Sequence, residues 1–119
     1  MTLYTSVLLS GSTAGEPITV PTTAVTLHAA GTASNTHDEV HIWAANGATH
    51  NSVLVVMLGS TVVGRHIPFT VPTRDGAYTI LPGWRITSSL SITAYTGTTS
   101  SSTGVMVAGG YVNRVSTST

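Results

Sequence analysis

Five histidines, four acids, 22 threonines and 14 serines are the side chains of this chain that could carry chemistry. One stretch crowds potential ligands together, His37-Asp38-Glu39-Val40-His41. It is not the metalloprotease helix signature, which needs Glu directly after the first His and helical i, i+4 spacing. Here Asp38 follows His37, and Val40-His41-Ile42-Trp43 favours a strand. On a strand His37, Glu39 and His41 share one face, with alternate Cα atoms about 7 Å apart. Two imidazoles and a carboxylate are a zinc donor set at about 2.1 Å. The outer pair would stand about 13 Å apart, too far for one ion, so a metal there needs another strand or a symmetry axis. The plainer reading is a polar outer face, with Val40 and Ile42 turned to the core.

Other chemistries find less support. No serine sits in a G-x-S-x-G elbow, and His, Asp and Ser co-occur in most sequences by chance. A glycosidase pair would have to come from four acids, two of them the neighbours Asp38 and Glu39. The glycines lie in turn-like contexts with no helix to follow, so nothing cradles a phosphate. Trp43, Trp84, Tyr4, Tyr78, Tyr95 and Tyr111 could stack on sugars, but rings in a small sandwich belong mostly to core and interfaces. Trp84, after Pro82-Gly83, is the ring expected at the surface and the candidate ligand contact. The reading is of a non-enzyme with no cofactor.

Eight charged residues in 119, none of them lysine, and no net charge set this chain apart from ordinary domains, which carry about 25%. Hydroxyls fill the water-facing positions instead. A free monomer relies on mixed surface charge for solubility, so such a surface is expected to pack against other copies. Clustered Lys and Arg are absent, which argues against nucleic acid and against an anionic membrane surface. With no cysteine, packing and oligomerisation must supply the stability that disulfides give many small domains. The N-terminal Val7-Leu8-Leu9 is too short and lacks the basic flank of a signal peptide or span. A cytoplasmically made chain is therefore expected.

Period-2 alternation recurs and helical periodicity does not. Expected strands are Leu3–Leu9, Ile18–Val20, Val25–Ala29, Glu39–Ala44, Val53–Leu58, Val62–Ile67, Ala77–Leu81, Ser89–Tyr95 and Val105–Val112. Turn signals separate them, among them Asn46-Gly47, Gly59-Ser60-Thr61, Pro72–Gly76 and Pro82-Gly83. The spacing predicts an all-β fold, an antiparallel β-sandwich of eight or nine short strands, jelly-roll or Ig-like. Residues 1–17 read as an N-terminal arm or first strand and 18–119 as the sandwich. Val53–Val56, apolar at consecutive positions, suits a central strand buried on both faces or one at a subunit interface. Thr96–Thr103 reads as a polar loop.

Three stretches carry a resemblance. Asp38-Glu39-Val40-His41-Ile42-Trp43-Ala44-Ala45-Asn46 is similar to the DEVxLWAxN strand of small tailed-bacteriophage virion proteins. Leu81-Pro82-Gly83 with the apolar strand after it, and Gly109-Gly110-Tyr111-Val112-Asn113-Arg114-Val115, resemble later parts of the same proteins. The likeness spans roughly Val20 to Val115; His37 and His41 are not part of its pattern. It implies a structural virion protein that decorates or cements the capsid as a symmetric oligomer, a homotrimer above all, with the major capsid protein or other virion subunits as partners. The segment Met1–Gly15 would be a strand-donating or clasping arm, and Tyr111, Asn113 and Arg114 would lie at an interface. Arg114 is expected to meet an acid, Asp38 or Glu39, within or between chains. The alternatives are a tail or fibre component touching host glycan through Trp84, Tyr95 and the Thr96–Thr103 loop, and a lectin-like module unconnected with phage.

Overall fold

In a computed structural model the chain is a two-layered β-sandwich; the structure describes residues 2–31, 33–48, 50–59, 66–73, 76–87, 90–97 and 106–117. Nine strands are β1 (Thr2–Leu8), β2 (Ile18–Val20), β3 (Val25–Ala29), β4 (Thr36–Asn46), β5 (Ser52–Leu58), β6 (His66–Val71), β7 (Ala77–Ile86), β8 (Ser91–Thr96) and β9 (Met106–Thr117). One sheet runs β1-β9-β4-β7 with β2 also on β9; the other runs β3-β8-β5-β6. Every pairing between strands is antiparallel.

The strand pairs β2:β9, β3:β8, β4:β7 and β5:β6 are nested one inside the next. This is one long antiparallel hairpin wrapped into two sheets, the jelly-roll arrangement and not the Ig one. β1 stands outside that set. It pairs with the Tyr111–Thr117 half of β9, whereas β2 takes the Met106–Ala108 end.

Alternation builds the core. Along β4 the positions 38, 40, 42, 44 and 46 are buried and the odd ones only half-buried. Val40, Ile42 and Ala44 meet Leu54 and Val56 of β5, Ile92 and Ala94 of β8, and Ala108 and Val112 of β9 in one apolar cluster. Burying a side chain of the Val, Leu or Ile type contributes about 1.5–3 kcal/mol. Asn46 closes the end of β4: its Nδ2 donates to the carbonyls of His50 (2.8 Å) and Val71 (3.0 Å), and its Oδ1 accepts from the Ala48 N–H. That is the Asn46-Gly47 turn expected from the sequence.

Several boundaries differ from expectation for identifiable reasons. Pro82-Gly83 is not a turn. β7 runs through it to Ile86, because an edge strand tolerates a residue without N–H and two register shifts against β4 absorb the distortion. β5 is central, yet of Val53–Val56 only Leu54 and Val56 enter the core; Val53 and Val55 lie half-buried on the opposite face. Of the strand expected at Val62–Ile67, residues 62–65 lie outside the described residues; His66 and Ile67 open β6, which runs on to Val71, with Met57 opposite His66. Residues 60–65, 74, 75, 88, 89 and 98–105 lie outside the described residues, and with them the Gly59-Ser60-Thr61 hairpin, most of the Thr96–Thr103 loop and the Arg74-Asp75 part of the Pro72–Gly76 turn.

Candidate functional site on the β4–β9 seam

The two longest words of the resemblance lie side by side. Register sets Asp38 opposite Arg114, Glu39 opposite Asn113, His41 opposite Tyr111 and Trp43 opposite Gly109. Alternation then sends each pair to one side of the sheet, so the seam has two unlike faces.

On the inner face, Asp38 is wholly buried. Arg114 grips it in a two-point clasp, Nε to Oδ1 at 2.8 Å and Nη2 to Oδ2 at 3.0 Å. From the other sheet His28 of β3 approaches the same carboxylate, Nε2 to Oδ2 at 2.7 Å. The Ser10 backbone N–H donates to His28 Nδ1 at 3.0 Å, so Nδ1 is an acceptor and the ring hydrogen belongs on Nε2, aimed at Asp38. Burial pushes the Asp38 carboxyl up, but the hydrogen bonds from Arg114 and His28 and the nearby Arg114 charge outweigh it and hold it below its ordinary value. The Asp38 hydrogen bond in turn raises the Arg114 guanidinium above its own.

Ser10, His28 and Asp38 have the composition of a catalytic triad but not its geometry. The Ser10 Oγ accepts from the Ala29 N–H at 2.8 Å, and the ring nitrogen that a nucleophile would use holds the Ser10 N–H instead. The three residues fasten the β1–β2 connection and β3 onto β4 and β9.

On the outer face, the imidazole of His41 stacks on Tyr111 with centroids 4.6 Å apart and planes 11° from parallel. Next to them Trp43 lies across Gly109: a Cβ there would come within 2.4 Å of the indole. Gly110 has φ +151, and its Cβ would collide with the His41 carbonyl. The glycine pair thus lets a ring lie flat on β9 and brings β9 close to β4. It also leaves a cleft of about 350 Å³, lined by His41, Trp43, Thr79, Leu81, Pro82 and Tyr111 among others. Leu8, Tyr111, His41 and Pro82 are register partners in one row across all four strands, and Leu8 and Tyr111 are half exposed.

His37, Glu39 and His41 share this outer face as expected, and among the described residues no three His, Asp or Glu side chains gather closely enough to hold a metal. His41 is engaged by Tyr111. Glu39 is 3.8 Å from Arg85, at the surface. Of the residues expected at an interface, Tyr111 is exposed and Asn113 half-buried. Asp38 is not available to a partner, because it is sealed inside with His28 and Arg114 of its own chain. Trp84 is 45% exposed on β7, outside the cleft lining, and Tyr95 meets His66 edge-on.

Sequence reasoning missed His28. Strict alternation would put it and Leu27 on opposite faces, but a register shift between Thr26 and His28 buries both. The glycine pair did carry a signal, since two glycines inside a strand pattern mark a close approach.

Neither protein-family models nor curated proteins match the chain. Among solved structures, a chain from "Bacillus endospore appendages form a novel family of disulfide-linked pili" superposes with a TM-score of 0.56 at 14% identity, covering 98% of this chain and 89% of that one. At that identity the likeness speaks for the sandwich fold.

Proposed function

We propose that the chain is a non-catalytic structural subunit, a decoration or cement protein of a tailed-phage particle, acting through self-association and binding to the major capsid protein or other shell subunits. The observation that carries this reading is the outer side of the β1-β9-β4-β7 sheet. Its apolar row and ring-lined cleft bear one surface ion pair among the described residues, Glu39 with Arg85. On that side Tyr4, Leu8 and Tyr111 are exposed. Exposed apolar surface with so little charge marks a contact surface. The resemblance words that build the β4–β9 seam name the kind of particle. The disulfide-linked pilus contributes the fold and no linkage chemistry, since this chain has no cysteine.

The mechanism is mass action. Each bound subunit bridges neighbours, burying a standard interface of about 1,600 Å², and repetition over a lattice turns modest affinity into a large effect. Quantitative mass spectrometry of gradient-purified virions encoding the chain tests the proposal. The expected result is a fixed copy number in proportion to the major capsid protein, with heat release of DNA at lower temperature when the gene is deleted. Absence from the virion overturns it.

The cleft favours a second reading, binding of a host-surface sugar on the Tyr111 and Trp43 rings. A saturable change in tryptophan fluorescence on titration with oligosaccharides, lost in Tyr111→Ala, would decide for it.

A further inference from the structure

A sheet edge offers unpaired N–H and C=O groups to any passing strand, and proteins blunt such edges by recognisable devices. Four of the five edge strands here carry one, and β2 is kept to three residues. β7 has Pro82 in its middle and two register shifts. β6 has Pro68 at its centre, opposite Val55. β3 is five residues long with a register shift. Its outer side is also occupied: the Leu27 carbonyl accepts from the Gly11 N–H at 3.0 Å, and the Ala29 N–H donates to Ser10.

β1 carries none. It is seven residues, Thr-Leu-Tyr-Thr-Ser-Val-Leu, without proline, charge or bulge, and among the described residues it pairs on one side alone, with β9. Both of its faces are open: Leu3 is 55% exposed on one and Tyr4 73% on the other. The eight-stranded roll is complete without it. β1 is therefore an additional strand that stabilises little core and exposes much.

We infer that β1 is a strand-addition site for a second copy of this chain, β1 pairing antiparallel with β1 across a two-fold axis. The inference rests on the self-association proposed above and names its surface. The partner follows from the other edges: with β2, β3, β6 and β7 blunted, the open strand that a second copy can offer among the described residues is its own β1. A surface that pairs with itself is isologous and gives a closed dimer. Full overlap sets Thr5 opposite Thr5 and Leu3 opposite Val7 twice, with no like charges facing. It forms on the order of six to eight ladder hydrogen bonds and joins the two β1-bearing sheets edge to edge into one continuous sheet. The trimer expected from the resemblance would be a head-to-tail ring, which needs two different complementary patches, and this edge does not provide them.

The chain has no cysteine, so Thr5→Cys introduces a single thiol, at an exposed position. Residues facing each other across an antiparallel pair have Cα atoms about 4.5–5.5 Å apart, within disulfide reach. Mild oxidation should convert Thr5→Cys to covalent dimer while Thr79→Cys, exposed on β7, stays monomeric. Light scattering of the unmodified chain should give an even number of subunits. Thr5→Lys should weaken the association by about tenfold or more, with an unchanged far-UV spectrum. No cross-link at position 5, equal cross-linking at 5 and 79, or a trimer overturns β1 pairing. An oligomer that does not cross-link through position 5 leaves self-association standing and removes this edge; a monomer at every concentration removes both.

Discussion

On its inner side the β4–β9 pair holds Asp38 and Arg114 in a sealed ionic clasp completed by His28. On its outer side, three residues along, the same pair holds His41 on Tyr111 beside an open cleft. A chain with eight charged residues thus places one of its four acids where no solvent reaches it, and leaves rings and aliphatic groups facing water. The usual distribution is the opposite one. The contrast teaches that scarcity of charge is not simply a deficit of polar chemistry. The inner charges fasten two sheets and the N-terminal connection to one another, and the outer face is free for contact.

The comparison can be broken most severely from the inside. Asp38→Ala strands the Arg114 guanidinium and removes the acceptor for His28. Because the Arg114 side chain is 35% exposed, the change should cost about 2–3 kcal/mol and lower Tm by on the order of 6–12 °C, read by calorimetry. A loss no larger than that of an exposed Thr→Ala change would show that the clasp is not structural.

Next in size is the glycine under the indole. Gly109→Val forces Trp43 off β9 and should cost about 1–3 kcal/mol, with a red-shifted tryptophan emission as Trp43 meets water. An unmoved spectrum would mean the ring does not depend on that glycine.

Acid sharpens the inner half. A carboxyl held below its ordinary value contributes stability that is complete above about pH 4 and is lost as the pH falls through the lowered folded-state value. Urea midpoints of the wild type should therefore drop below about pH 4. In Arg114→Met, burial acts with less opposition on Asp38, so the acid dependence flattens. Equal slopes in the two proteins would refute the assignment.

The smallest effect is outside. Tyr111→Ala removes an exposed ring and should change stability by no more than about 1 kcal/mol while weakening binding to shells or oligosaccharide. A large stability loss with unchanged binding would turn the outer face into ordinary packing.

Much of this could be read before any coordinates. Alternation at Glu39–Ala44 placed a strand with one face in the core, and the consecutive apolar residues Val53–Val56 placed a central one. The all-β sandwich followed from spacing. The Arg114–acid pairing was foreseen, but its choice of Asp38 over Glu39 turns on parity: Arg114 and Asp38 share the inward side. His28 could not be read, because a register shift cancels the period on which such reading depends. Nor could β4 and β9 be seen as neighbours, since the words that build the seam stand about seventy positions apart and nothing local couples them.

β9 pairs with β1, β2 and β4 at once. During synthesis, then, the first strand of the chain has no ladder to join until residues 106–117 have left the ribosome. Until then the nascent chain carries an unpaired, uncharged β1, a period in which neighbouring chains on one message could meet at that strand. Order of synthesis, and not final stability alone, then bears on how copies of the chain meet.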